Sequence, residues 1–298
     1  MRKTARPLVL FISALALLTG AAAVSAQAAP RVNVVAAENF YGDIVRQIGG
    51  DAVSVTSIMS DPNVDPHEYE SNVEDARAIA EADLIIENGG GYDDWMDKLI
   101  SASPRPARVV LKGFDVAVKK LPENEHVWYE ADNAQAIATA VVDSLEKLRP
   151  REGALFAKNE RAFQESLGSI RQKVAQIASR FSGTPVGLTE TIYLYQALPM
   201  GLKVLTPFEF QKAIAEGNDP PADAVVEAEN QIKQRKVKIL IYNEQTVSPI
   251  TTRAQADAKA ARVPIVGVTE TMPQGESYQT WMLRQLDELR SALIAAGS

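Results

Sequence analysis

Residues 151–181, REGALFAKNERAFQESLGSIRQKVAQIASRF, decide the architecture of this chain. Apolar side chains fall at Leu155, Phe163, Leu167, Ile170, Val174 and Ile177, the spacing of one helical face. Pro150 suits the first turn of a helix, where its missing N–H is not needed, and glycine is almost absent downstream. The stretch predicts one continuous helix, about 45 Å long at about 1.5 Å per residue. A second helical pattern leads into it from Asn133, through Ala136, Ala140, Val141, Leu145 and Leu148. A helix of that length acts as a stiff strut, and the sequence on either side shows what it joins.

On both sides, short β-branched runs alternate with amphipathic segments of helical length, the pattern of βαβ units and parallel sheets. Ahead of the strut, strands are expected near Val32–Ala36, Val53–Met59, Leu84–Glu87 and Arg108–Leu111, with helices near Phe40–Ile48, Val73–Ala82 and Trp95–Ser101. Behind it the plan repeats, with strands near Pro185–Leu188, Lys203–Leu205, Val237–Tyr242 and Pro264–Val268 and a last helix near Tyr278–Ala295. The expected fold is α/β: two lobes, each a mostly parallel four-stranded sheet flanked by helices, joined by one long α-helix. The lobes are assigned to residues 29–150 and 183–298, with 151–182 as the link. Asp61–Pro66 and Asn218–Pro221 read as loops, and Gly89–Gly91 as a tight turn after a strand, since Asp94 stands where a dinucleotide fold needs its third glycine.

The first 28 residues read as a secretory signal peptide. Arg2, Lys3 and Arg6 precede the apolar run Leu8 to Leu18, and small residues around Ser25-Ala26 and Gln27-Ala28 offer cleavage sites. The apolar run is short for a bilayer span. The chain contains no cysteine, so no lipid-modified cysteine is available, and a freely diffusing periplasmic monomer is the expectation. Removing the three leader cations takes the formal charge from −7 to −10, which disfavours nucleic acid and anionic membrane as partners.

In open α/β sheets ligands bind beyond the carboxyl ends of the strands. Four potential metal ligands fall there or nearby: His67 in DPNVDPHEYE, Glu190 in VGLTETIY, Glu270 in PIVGVTETMP and, in the loop after the fourth strand, His126 in PENEHVWYE. His67 and His126 are the chain's two histidines. Taken singly each has an ordinary explanation, a solvated loop histidine or a glutamate favoured by a helix N-terminus. Together they give each lobe a pair, and two neutral imidazoles with two carboxylates balance one divalent cation. Nitrogen with carboxylate oxygen suits zinc, manganese or ferrous iron better than calcium or cuprous copper. Asp65, Glu68, Glu125 and Glu276 are assigned to loop solvation or to orienting the imidazoles, and Trp95, Trp128 and Trp281 to the core.

DPHEYE, the following SNVEDARAIAEADLIIENGGGYDDWMDKLI, and NEHVWYE together resemble the metal-specific substrate-binding proteins of ABC importers, a cluster of zinc- and manganese-binding periplasmic proteins and streptococcal adhesins. The likeness covers the whole chain after the leader. It implies two lobes joined by one long helix with little hinge motion, a buried tetrahedral-like site between them, and delivery of the ion to a membrane permease. Zinc members usually place a histidine where Glu190 stands, and manganese members a glutamate. The fourth ligand is usually an aspartate where this chain has Glu270, one methylene longer. Many zinc members also carry a histidine-rich loop between the first two ligands, absent here. These features lean toward manganese or iron, whereas affinity in a given site rises toward zinc.

Two other readings stay open at the level of sequence. A secreted metal-dependent hydrolase can hold zinc with two histidines and a carboxylate, leaving a position for water. Neither an H-E-x-x-H helix nor a G-x-S-x-G elbow is present. In the other, the protein binds an organic solute and the histidines are incidental.

Overall fold

The structure is a computed structural model and describes residues 30–61, 64, 66 and 69–297. The leader assigned to residues 1–28 lies outside the described residues. The N-terminal lobe runs β1 (Val32–Glu38), α1 (Asn39–Gly49), β2 (Val53–Met59), α2 (Val73–Glu81), β3 (Leu84–Glu87), α3 (Asp94–Ala102), β4 (Val109–Lys112), the single turn α4 (Gly113–Val116) and α5 (Ala131–Leu148). After α6 (Gly153–Phe181) come β5 (Pro185–Leu188), α7 (Leu194–Ala197), β6 (Lys203–Val204), α8 (Phe208–Ala215), α9 (Ala222–Lys233), β7 (Ile239–Asn243), α10 (Pro249–Ala261), β8 (Ile265–Val268) and α11 (Tyr278–Ala295). Each lobe holds one four-stranded sheet, ordered β2-β1-β3-β4 and β6-β5-β7-β8, and every neighbouring pair is parallel. In both sheets the order reverses beside the first strand, which opens a crevice at the carboxyl ends.

Local chemistry sets the boundaries. Asn72 caps α2 by accepting from Glu74 N and Asp75 N, and Asp75 Oδ2 returns the bond from Asn72 N. Ser248 with Thr251 and Ser277 with Thr280 do the same for α10 and α11. Pro150 opens a 3₁₀ turn, Pro150–Glu152, that runs into α6, so the regular helix begins two residues after the expected start. The Gly89–Gly91 turn takes positive φ at all three residues, a conformation that suits glycine.

Helix α6 buries Phe156, Phe163, Leu167, Ile170, Ile177 and Phe181. It packs on α1 and α5 of the first lobe and on α11 of the second. Each such side chain contributes roughly 1.5–3 kcal/mol on burial, so swinging a lobe off the helix is costly. The core itself crosses the lobe boundary: Phe40 stacks on Trp128 at 4.6 Å and on Trp281 at 5.9 Å. Trp128 and Trp281 are fully buried, as expected, while Trp95 is partly buried in a smaller cluster on the far face of the first sheet. Polar bonds cross there too: Asn39 Nδ2 donates to Met272 O at 2.6 Å, and Met272 N donates back to Asn39 Oδ1 at 2.9 Å. Tyr129 OH donates to Thr269 O at 2.6 Å, and Tyr278 OH to Trp128 O at 2.7 Å. Among the described residues no helix is long and apolar enough to cross a membrane.

Candidate metal centre

Strand ends deliver the acidic half of the site. Glu190 lies just past β5 and Glu270 just past β8, and both are buried. Each sits inside the same tripeptide, Thr189-Glu190-Thr191 and Thr269-Glu270-Thr271. Strand β7 lies between β5 and β8, and its last residue, Asn243, reaches both carboxylates. Its Nδ2 donates to Glu190 Oε2 at 3.1 Å and to Glu270 Oε1 at 2.5 Å. Glu270 Oε2 accepts from the Tyr92 hydroxyl of the first lobe at 2.8 Å. Among the described residues, Glu190 Oε1 has no hydrogen-bond partner although it is buried.

His126 enters from the other lobe. It is buried at the start of the short 3₁₀ turn Val127–Tyr129, and its ring packs on Trp128 and Tyr92. Asn124 fixes its tautomer. The Asn124 amide is oriented by donating to Thr191 O at 2.8 Å, and its oxygen accepts from His126 N at 3.0 Å. The same oxygen lies 3.0 Å from His126 Nδ1, which therefore carries the proton. That makes Nε2 the ring's electron-pair donor, and it faces Glu270 Oε2 at 3.7 Å. Two ligand atoms at bond lengths of about 2.1 Å on a tetrahedral ion stand roughly 3.4 Å apart, so the observed gap accepts an ion with little movement.

His67 lies outside the described residues; Val64 and Tyr69, described on either side of it, are both hydrogen-bonded. Gln245 Nε2 donates to Val64 O at 2.9 Å, while Gln245 Oε1 accepts from Glu270 N at 2.7 Å. Tyr69 OH donates to Asp75 Oδ2 at 2.8 Å and its ring packs on Trp95 at 4.7 Å. Among the described residues no group of three or more histidine, cysteine or acidic side chains closes on its own to metal-holding geometry.

The electrostatics are those of a site awaiting positive charge. Burial, then the negative charge of Glu270, pushes Glu190 up to about 8. Burial disfavours the His126 imidazolium, but Glu125, Glu270 and Glu190 outweigh it and leave the ring above the usual histidine value. Of the residues expected to assist, Glu125 acts on His126 in this way, whereas Glu276 pairs with Arg284 at 2.8 Å; Asp65 and Glu68 lie outside the described residues. Asn243, Asn124, Tyr92 and Gln245 escaped the sequence reading. A signal existed for Asn243: the rule that selects polar residues at strand ends applies to it, but the strand was expected to stop at Tyr242.

Lobes pinned by a helix, with a buried nitrogen-and-carboxylate cluster at their junction, define a class of solute-binding protein that holds its cargo without a wide hinge. The chain belongs to the family described as zinc-uptake complex component A periplasmic (ZnuA), whose model matches residues 34–292. It is thus an extracytoplasmic substrate-binding component of an ABC metal importer. It is similar to the manganese ABC transporter substrate-binding lipoprotein PsaA of Streptococcus anginosus, 26% identical over 320 residues covering 98% of this chain and 99% of that one. The metal ABC transporter substrate-binding lipoprotein FimA of Streptococcus parasanguinis is likewise 26% identical, over 318 residues, with 98% and 99% covered. Among solved structures, the periplasmic zinc-binding protein TroA of Treponema pallidum superposes with a TM-score of 0.77 at 22% identity, covering 89% of this chain and 99% of that one. FpvC of Pseudomonas aeruginosa in complex with Mn²⁺ gives 0.75 at 22%, covering 90% and 100%. At that identity these two likenesses speak for the fold.

Proposed function

We propose that His67, His126, Glu190 and Glu270 capture one divalent transition-metal ion, zinc or manganese with iron as a further candidate, between the lobes. The observation that carries this reading is the pairing of His126 Nε2 with Glu270 Oε2 across the lobe boundary at 3.7 Å, beside the buried Glu190. With two neutral imidazoles the four ligands carry the charge of −2 that a divalent ion cancels. Four protein donors fill a tetrahedral shell and leave no open position for water, so the site is a carrier's and not a hydrolase's. The relatives named for manganese and the zinc-uptake family to which the chain belongs support this range of cargo.

The protein acts as a monomer, with lobes at 29–150 and 183–298 joined by 151–182. It reaches the periplasm through a cleaved leader at 1–28 and gives up its ion when a membrane permease pries the pinned lobes or displaces a ligand. Elemental analysis of protein purified without chelator, followed by calorimetry with Mn(II), Zn(II) and Fe(II), tests the reading. One ion per chain and tight 1:1 binding are expected, and a chain that neither co-purifies with metal nor takes it up from solution overturns it.

A further inference from the structure

The three strand ends on the acidic side of the pocket are consecutive in the sheet, with Asn243 on the middle one. Neighbouring parallel strands lie about 4.8 Å apart, so carboxylates rising from β5 and β8 would stand roughly twice that distance apart if nothing drew them together. The Asn243 amide supplies that bridge: its two hydrogens are directed at Glu190 Oε2 at 3.1 Å and Glu270 Oε1 at 2.5 Å, with Thr246 Oγ1 also at 3.1 Å. The amide has one tenable orientation, because reversed it would set its oxygen against two carboxylates. Its oxygen is also engaged, accepting from Gln245 N at 3.0 Å, so the side chain is held from the backbone of its own loop.

The consequence concerns which oxygens remain for an ion. Asn243 bonds Oε2 of Glu190 and Oε1 of Glu270; of the other two oxygens, Oε1 of Glu190 has no hydrogen-bond partner among the described residues, and Oε2 of Glu270 accepts from the Tyr92 hydroxyl and faces His126. We propose that Asn243 is a positioning residue that fixes the spacing of the two glutamates and turns one oxygen of each toward the cargo ion, thereby limiting the number of oxygens the ion receives. The inference rests on the proposed four-ligand site and deepens it. A carboxylate held by one oxygen cannot readily rotate to chelate with both. Such a site suits a four-coordinate ion, whereas manganese accommodates six oxygen donors and gains from chelation. Asn243 thus favours zinc against manganese, opposing the lean given by the oxygen-rich ligand set.

The test is the ratio of zinc to manganese affinity in full-length Asn243→Ala, with Co(II) absorption as a second readout. Zinc affinity is expected to fall roughly 10- to 100-fold, the usual cost of losing a group that orients a ligand. Manganese affinity should fall less, so the ratio narrows, and the intense visible bands of four-coordinate Co(II) should weaken as coordination rises. A role confined to folding would lower thermal stability without moving the ratio or the Co(II) spectrum, and that outcome overturns the proposal. If Asn243→Ala does not fold, Asn243→Ser, which keeps one donor, is read the same way with an intermediate shift expected. Glu190→Ala separates the two levels. Loss of binding there with an unchanged ratio in the Asn243 variants removes this inference alone, while unchanged binding in Glu190→Ala removes that glutamate from the site beneath it.

Discussion

Each lobe buries carboxyl groups at the carboxyl ends of its parallel strands, and the two lobes settle that charge in opposite ways. In the first, Glu38 ends β1, Glu87 ends β3, and Asp93 follows the glycine turn, all of them buried. Asp93 accepts from Asn88 N at 2.6 Å and Gly89 N at 2.7 Å, and Lys112 Nζ lies 3.1 Å from Glu87 Oε1. Burial, then the charge of Asp93, holds Glu38 well above the carboxylate range. In the second lobe Glu190 and Glu270 meet a neutral amide, a tyrosine hydroxyl and a histidine ring where the first lobe has a lysine. A buried acid with a fixed cation beside it belongs to the scaffold. One completed by neutral donors has no fixed cation beside it, and on the proposed function that place is the cargo's.

The sharpest way to break this contrast is to remove acids from each side. His126→Ala and Glu270→Ala should each lower metal affinity by roughly 100-fold or more, beyond the usual cost of losing a mere orienting group. Glu87→Gln should leave it within about threefold, since it is outside the coordination sphere. Calorimetry reads both, and equal losses in the two lobes would erase the distinction.

Acidity gives the next effect. With Glu190 raised to about 8, an ion entering near neutral pH displaces a proton. Affinity should therefore rise from pH 6 to pH 8, by roughly tenfold per pH unit for each proton released. A flat profile in competition titrations contradicts it.

Without metal, the stability profile should run the other way. Glu190 and Glu87, raised by burial to about 8 and about 7, stay protonated in the folded chain at pH values where the unfolded chain has ionised. The folded state then binds more protons between about pH 4.5 and pH 8, so stability falls as pH rises through that window. Chelated protein should melt roughly 3–10 °C lower at pH 8 than at pH 5, and saturating Zn(II) should remove the Glu190 share but not the Glu87 share. The smallest effect belongs to Glu276, which pairs with the half-buried Arg284 at the protein surface: Glu276→Ala should change unfolding free energy by roughly 1 kcal/mol or less and leave affinity alone.

Much of the fold was legible because its signals are local. The β-branched runs of Leu84–Glu87 and Pro185–Leu188 and the apolar stripe of α6 declare themselves within a few residues. The strand rule also picked out Glu190, Glu270 and His126, which the structure brings into one buried cluster. Less was legible where partners lie far apart in the chain. Nothing near Asn124 shows that its amide would grip Thr191 and set the tautomer of His126. Likewise Tyr92 looks like an ordinary core aromatic until its hydroxyl is seen on Glu270, 178 residues away.

The sequence by itself determined the two α/β lobes, the helix between them and the residue types able to hold a cation, because periodicity and side-chain chemistry are written residue by residue. The tertiary structure decided which atoms face which. Sheet order put Asn243 between two glutamates, packing of the lobes brought His126 to Glu270, and Lys112 stands beside one acidic cluster while the other meets neutral donors. Those outcomes depend on distances of a few ångströms between residues up to hundreds of positions apart, and such distances exist only once the chain has folded.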